Sequence, residues 1–297
     1  MFPFFVTGLQ VATAMLALYA LLGATSLWVK LAARRKARGM LNHQVNAWWR
    51  IFPVVSLALL AYPTGMLALA GLVFSLACIE LESHYGGRRA RFWIGTCTIG
   101  FGISWLGSQH PEFAPPLIAV AIAIQACHCW YQPKSSQIVW LLILMTAGAM
   151  YVLTVFCALP FGSRQNLAWI FYLFIMTALN DIGQFVAGTL FGQHKIAQNV
   201  SPNKTWEGLA GGIFTSQFVS AVLGAYLSLA GFLVLAIYAL VLSIAGFTGD
   251  FIFSAAKRYL SIKDFSTLIP GHGGILDRVD SLVLTAPVLY CLLRIAE

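Results

Sequence analysis

The chain has 297 residues, of which 59% are apolar and only 9% charged, with a formal net charge of +8 and a mean hydropathy of +0.80. That composition excludes an ordinary soluble domain and calls for a bilayer as solvent. It also argues against nucleic acid as a partner, because the basic residues fall in the gaps between apolar stretches, where they act as topology signals and as sites for anionic headgroups or phosphates.

Apolar spans of about twenty residues are the unit to count. In chain order they run over 4–29, 49–61, 64–79, 92–107, 115–130, 138–159, 167–191, 209–229, 231–253 and 281–295. The expected fold is therefore an all-α polytopic membrane protein of about ten transmembrane helices. The second and third spans are short and meet at Tyr62-Pro63-Thr64, so one broken or re-entrant element is the alternative. Residues 1–160 form an N-terminal set of helices with little motif content, and 161–297 form a C-terminal region with the catalytic loops.

Lys30, Arg34, Arg35, Lys36 and Arg38 follow the first span, and Arg88, Arg89 and Arg91 follow the third, which assigns both loops to the cytoplasm. Alternation places Lys134 and the polar segments 193–207 and 255–280 on that same side. The first span lacks a preceding basic residue and a small-residue cleavage site, so it reads as a membrane span and not as a removable leader. The cysteines lie in or near apolar spans without framework spacing, which predicts no disulfides. Cys127-His128-Cys129 reads as a helix end, since three adjacent residues cannot build a tetrahedral metal cage.

The chain has ten acids, and Asp250, Asp264, Asp277 and Asp280 crowd into one stretch with Lys257, Arg258, Lys263, His272 and Arg278. Asp250 sits near the end of a span, where an ionised group is costly unless it is paired or binds a cation. Asp277 and Asp280 are three residues apart, a spacing that on one helix puts both carboxylates on one face. Helix capping by first-turn acids is the competing reading. Between these acids, Pro270-Gly271-His272-Gly273-Gly274 is a turn able to bring N–H groups to a phosphate. Cations on one side and carboxylates on the other suit Mg²⁺-dependent nucleotidyl transfer.

The run 254–280, SAAKRYLSIKDFSTLIPGHGGILDRVD, resembles the signature of the phosphatidate cytidylyltransferase family. A second block at 201–208, SPNKTWEG, is similar to the family's loop ahead of the preceding spans, and with Asp181 the resemblance covers 181–281. It implies a membrane enzyme, usually a homodimer, with a polar funnel open to the cytoplasm and the leaflet of the inner membrane. It implies CTP and phosphatidate as substrates, CDP-diacylglycerol and pyrophosphate as products, and Mg²⁺ as cofactor with room for a second cation. By the same carry-over Asp250, Asp277 and Asp280 hold the metal, and Lys263, Asp264, His272 and Arg278 are catalytic. Asp181, Ser201, Lys204, Thr205, Glu207, Ser254, Lys257, Arg258, Gly273 and Gly274 contact substrate.

Departures from the family pattern are specific. Ala256 stands where a larger aliphatic is usual, and Asn203 where a second Lys is common. The family's acid-Thr-Gly-Ala-Tyr reads Asp181-Ile182-Gly183-Gln184-Phe185, which removes two hydroxyls. These changes leave open the same transfer to a different lipid phosphate. A transporter with Asp250 on its path and a catalytically silent relative are the readings from other classes. Glu80 and Glu82, where the family also has an acid, read as interfacial.

Overall fold

The computed structural model describes residues 3–31, 35–198, 200–268 and 273–296. Its helices are α1 (Pro3–Leu31), α2 (Arg35–Leu60), α3 (Thr64–Glu82), α4 (Arg89–Gln109), α5 (Ala114–Tyr131), α6 (Ser135–Phe156), α7 (Ser163–Phe191), α8 (Trp206–Tyr226), α9 (Phe232–Tyr259), the single turn α10 (Leu276–Val279) and α11 (Leu282–Ile295). The protein is an all-α polytopic membrane protein. Seven of these helices are long and apolar enough to cross a bilayer, among the described residues. The other three expected spans fall short on length or composition: the apolar part of α2 covers only Trp48–Leu60, α4 is diluted by polar residues, and α11 has 14 residues.

The basic segment expected as a loop is instead the first half of α2, since Arg35, Lys36 and Ala37 are good helix formers. Arg34 lies outside the described residues, as do the side chains of Lys30, Arg35, Lys36 and Arg38. The short second and third spans prove to be separate helices joined by the turn at Ala61–Pro63.

Helix α6 is buried along most of its length and packs on α3, α4, α5 and α11. It belongs to one apolar cluster that runs from Val11 to Leu293, so the two halves of the chain share a core. Around α7 the packing differs in kind. The buried residues of α8 are Gly208, Gly212, Ser216, Ser220 and Gly224, one every fourth position. A Cβ on Gly211 would collide with Ala187, and one on Gly212 with Gln184. Such a stripe lets two backbones approach closely where lipid offers no hydrophobic drive for association. Hydroxyls and an amide then join the helices: Ser216 and Ser243 donate to Asn180 Oδ1 at 3.2 and 2.6 Å, and Thr177 meets Thr285 at 2.8 Å.

Between α7 and α8 the chain makes a small antiparallel hairpin that the hydropathy pattern does not predict, β1 (Lys195–Ala197) with β2 (Ser201–Thr205). Thr205 ends β2 and caps α8, its Oγ1 accepting from Gly208 N at 3.0 Å. Helix α9 continues past the expected end of its span to Tyr259, which places Ser254, Lys257 and Arg258 on its last turns.

Candidate active site

Four segments meet beyond the α7–α8–α9 packing: α7 at Asp181, strand β2, the last turns of α9, and the stretch from Lys263 through α10 to Asp280. On α9, Asp250, Ser254 and Lys257 fall at helical spacing on one face. Ser254 Oγ donates to Asp250 Oδ1 at 3.2 Å. Lys204 enters from β2 and places Nζ 2.7 Å from Asp250 Oδ2, with its ammonium 4.4 Å from the centre of the Phe247 ring. The lysine side chain is 10% exposed and the aspartate 36%, so the cation is the enclosed partner and the carboxylate keeps an open side.

A second ion pair joins Lys257 Nζ to Asp277 Oδ1 at 2.7 Å, with side-chain exposures of 14% and 5%. Asp277 Oδ2 also accepts the backbone N–H groups of Gly274 at 2.9 Å and Phe265 at 3.2 Å. Three hydrogen bonds, one charge-assisted, are what a buried carboxylate requires.

Asp280 is 9% exposed. Burial pushes its carboxyl well above the ordinary carboxylate range, and the Asp250 and Asp181 carboxylates add to the rise. Close approach at Gly249, where a Cβ would stand 2.5 Å from the Asp280 carbonyl oxygen, brings α9 against this point. Asp181 Oδ1 accepts from Ser281 Oγ at 3.0 Å. The acids that the fold brings to Asp280 are therefore Asp250 and Asp181. Asp277 and Asp280 stay at helical spacing, because the backbone keeps α dihedrals through Asp280 and Ser281 although α10 ends at Val279 and α11 begins at Leu282. Asp277 pairs with Lys257, whose charge also acts on Asp280, while Asp280 lies beside the other acids. Among the described residues no three acids form a ready-made metal cage.

The other predicted residues are dispersed. Lys263, Asp264 and Arg278 are exposed, and Arg278 is near enough to Asp181 to act on its charge. Arg258 is exposed and its Nε donates to the Val200 carbonyl at 3.3 Å, tying α9 to the hairpin. Ser201 opens β2 and is half-buried. Thr205 is spent as a cap, and Glu207 holds the start of the hairpin by accepting from His194 Nδ1 at 2.6 Å and from the N–H groups of Gln193 and His194. His272 lies outside the described residues.

Of the expected glycine turn, Pro270 and Gly271 lie outside the described residues. Gly273 has φ +77°, a conformation that favours glycine, and the N–H groups that follow it have partners within the protein. Gly274 N is taken by Asp277, and Ile275 N and Leu276 N donate to Glu80 Oε1 and Oε2 at 2.7 and 3.1 Å. Glu80, read from the sequence as interfacial, is 4% exposed. Its depth was the available signal, since an acid at the end of an apolar span needs donors; which donors is visible only in three dimensions.

The two lost hydroxyls of the 181–185 segment fall on one side. Ile182 and Phe185 are 41% and 48% exposed and face out of the helix packing, while Gln184 packs toward Gly212 of α8.

Residues 42–296 match the model of the cytidylyltransferase family. The chain is 32% identical to "Uncharacterized protein YnbB" of Escherichia coli (strain K12) over 290 residues, 95% of each chain. It is 40% identical to a phosphatidate cytidylyltransferase of Staphylococcus epidermidis and 38% identical to one of Staphylococcus aureus, each over 130 residues. Those two matches take in 43% of this chain and half the length of either relative. The protein belongs to the cytidylyltransferase family. It is a nucleotidyltransferase embedded in a membrane, and the transporter reading falls with that membership.

Proposed function

We propose that this protein transfers the cytidylyl group of CTP to phosphatidate, giving CDP-diacylglycerol and pyrophosphate. The observation that carries the reading is the 2.7 Å contact of Lys204 with Asp250. It unites the 201–208 block with α9 one turn ahead of the signature run, where Ser254 bonds the same aspartate, and the two stretches of sequence have no local reason to meet. In the reaction a phosphatidate phosphate oxygen attacks the α-phosphorus of CTP, a new P–O–P linkage forms, and the bond to the β-phosphate oxygen breaks with its electron pair leaving on pyrophosphate. Lys204 and Lys257 are the enclosed cations of the site, suited to the phosphates whose charge grows as pyrophosphate departs.

The donor chemistry fits a hard divalent cation such as Mg²⁺: carboxylate oxygens only, with Asp280 buried beside two like charges. Asp250 and Asp280 would hold it, with Asp277 or Asp181 completing the set. When bound, the cation polarises a phosphate oxygen and offsets triphosphate charge. The carboxylates themselves hold Lys204 and Lys257 in place beforehand, so that little reorganisation remains at the moment of reaction.

A second reading, the same transfer to another lipid phosphate, is favoured by Ile182 and Phe185, which replace hydroxyl residues on the outward side of α7. The active site is proposed to face the cytoplasm from the inner membrane.

The test is product analysis of purified protein in mixed micelles with labelled CTP, Mg²⁺ and phosphatidate, beside EDTA and the Asp277→Asn variant. Metal-dependent CDP-diacylglycerol from the wild type alone supports the reading. Product from another lipid phosphate but none from phosphatidate moves it to the second.

A further inference from the structure

A buried polar anchor outside the predicted site lies in the N-terminal half. Glu80 is on the last turn of α3 and is buried among three donors: Ser266 Oγ at 2.7 Å and Ile275 N at 2.7 Å on Oε1, and Leu276 N at 3.1 Å on Oε2. One turn further along, His84 Nε2 donates to the Phe265 carbonyl at 3.0 Å. Gly274 lies against the carboxylate so closely that a Cβ there would collide with it. Residues separated by 186 to 196 positions are thus held by one side chain.

The arrangement is specific to a carboxylate. Both oxygens accept, and a glutamine would turn an NH₂ group toward one of the donors that it must satisfy. It is also coupled to the site. Asp277 Oδ2 accepts from Phe265 N and Gly274 N, the residues adjoining those that Glu80 holds, and Asp277 Oδ1 holds Lys257. Glu80 and Asp277 thus hold the same two stretches, 265–266 and 274–276. Releasing Glu80 frees Ser266, Ile275 and Leu276, and with them the seat of the Lys257–Asp277 pair.

We propose that Glu80, seconded by His84, is a positioning residue for cytidylyl transfer: it touches no reacting atom and holds Ser266, Ile275 and Leu276 so that Lys257 and Asp277 are aligned for nucleotide. The proposal rests on the function reading above. The test compares wild type with Glu80→Gln and, as a milder variant that leaves Glu80 intact, Ser266→Ala. In Glu80→Gln the KM for CTP is expected to rise about tenfold or more, the scale of one lost hydrogen bond to a charged group, while the KM for phosphatidate stays within about threefold. Hydrogen exchange across 265–276 rises in parallel, and Ser266→Ala moves both readouts the same way by less. Adding Ser266→Ala to Glu80→Gln has little further effect, because the two share one contact.

A merely structural role lowers the folded fraction and so kcat, without moving either KM. Unchanged KM values, or unchanged exchange at 265–276, would overturn the proposal. If the wild type transfers nothing from CTP to lipid, the function reading fails while the clasp is still decided. Raised exchange with weakened retention of labelled CTP in Glu80→Gln then supports positioning for nucleotide, and unchanged exchange or retention refutes it. Should Glu80→Gln fail to fold, Ser266→Ala decides by the same pair of readouts.

Discussion

Lys257 Nζ lies 2.7 Å from Asp277 Oδ1 with both side chains nearly out of solvent, 14% and 5% exposed, and this pair couples the end of α9 to the turn ahead of α11. Removing either partner strands a buried charge. Lys257→Met is therefore expected to cost about 3–5 kcal/mol, and Lys257→Met/Asp277→Asn to recover much of that loss. Activity is not recovered in the double variant, because both groups are assigned to the chemistry. Thermal unfolding in detergent beside product formation separates the two effects; an active double variant would remove the pair from the mechanism.

Lys204→Met should behave differently. Asp250 is 36% exposed, so water screens the charge left behind and the stability loss is only about 1 kcal/mol. Transfer from CTP is nonetheless expected to fall about 10- to 100-fold, the scale of one charge-assisted phosphate contact. Steady-state kinetics with varied CTP checks this. A variant with wild-type kcat/KM would leave the 201–208 block a structural role alone.

Asp280 predicts a pH dependence of stability. Burial, with Asp250 and Asp181 beside it, raises its folded-state pKa well above the ordinary carboxylate value of the unfolded chain. Between those two values the folded protein keeps a proton that the unfolded chain has lost. The stabilisation is complete below the unfolded value and is lost as pH rises through the folded one. Unfolding followed in EDTA from about pH 4 upward should show declining stability that Asp280→Asn flattens. Added Mg²⁺ should restore wild-type stability at the higher pH, since binding to the folded state alone stabilises it. A wild-type profile insensitive to Mg²⁺ would count against a cation at this point.

The α7–α8 contact predicts its own failure. A Cβ on Gly212 already collides with Gln184, so Gly212→Leu should force the helices apart and prevent accumulation of folded protein. Ser216→Ala, which loses one 3.2 Å hydrogen bond to Asn180, should cost only about 0.6 kcal/mol, as is usual for polar contacts between membrane helices. Size-exclusion profiles in detergent distinguish the two.

Much of this was legible in the chain itself. Composition and the apolar spans define an all-α membrane fold, because a bilayer leaves the backbone few ways to satisfy its own hydrogen bonds. Helix ends were less so: the first half of α2 is helical although basic, and α9 runs on to Tyr259. Hydropathy marks the solvent, whereas helix termination depends on caps and on the packing of neighbours. The residues of the site were legible as types, since ionisable groups are costly in this environment and need a reason to be there.

Their pairing was not. Three-residue spacing placed Asp277 beside Asp280, and only the fold brings Lys257 to pair with the one and Asp250 and Asp181 to lie beside the other. Glycines expected to cradle phosphate leave the N–H groups after them to Asp277 and to Glu80, a residue 195 positions away from Ile275. Sequence by itself determined the solvent, the helices and the cast of charged residues, because those follow from local hydropathy and the cost of burying charge. Which charges meet was decided by the tertiary structure alone, because a partner across the fold is chosen by how helices pack, and that choice leaves no local mark on either residue.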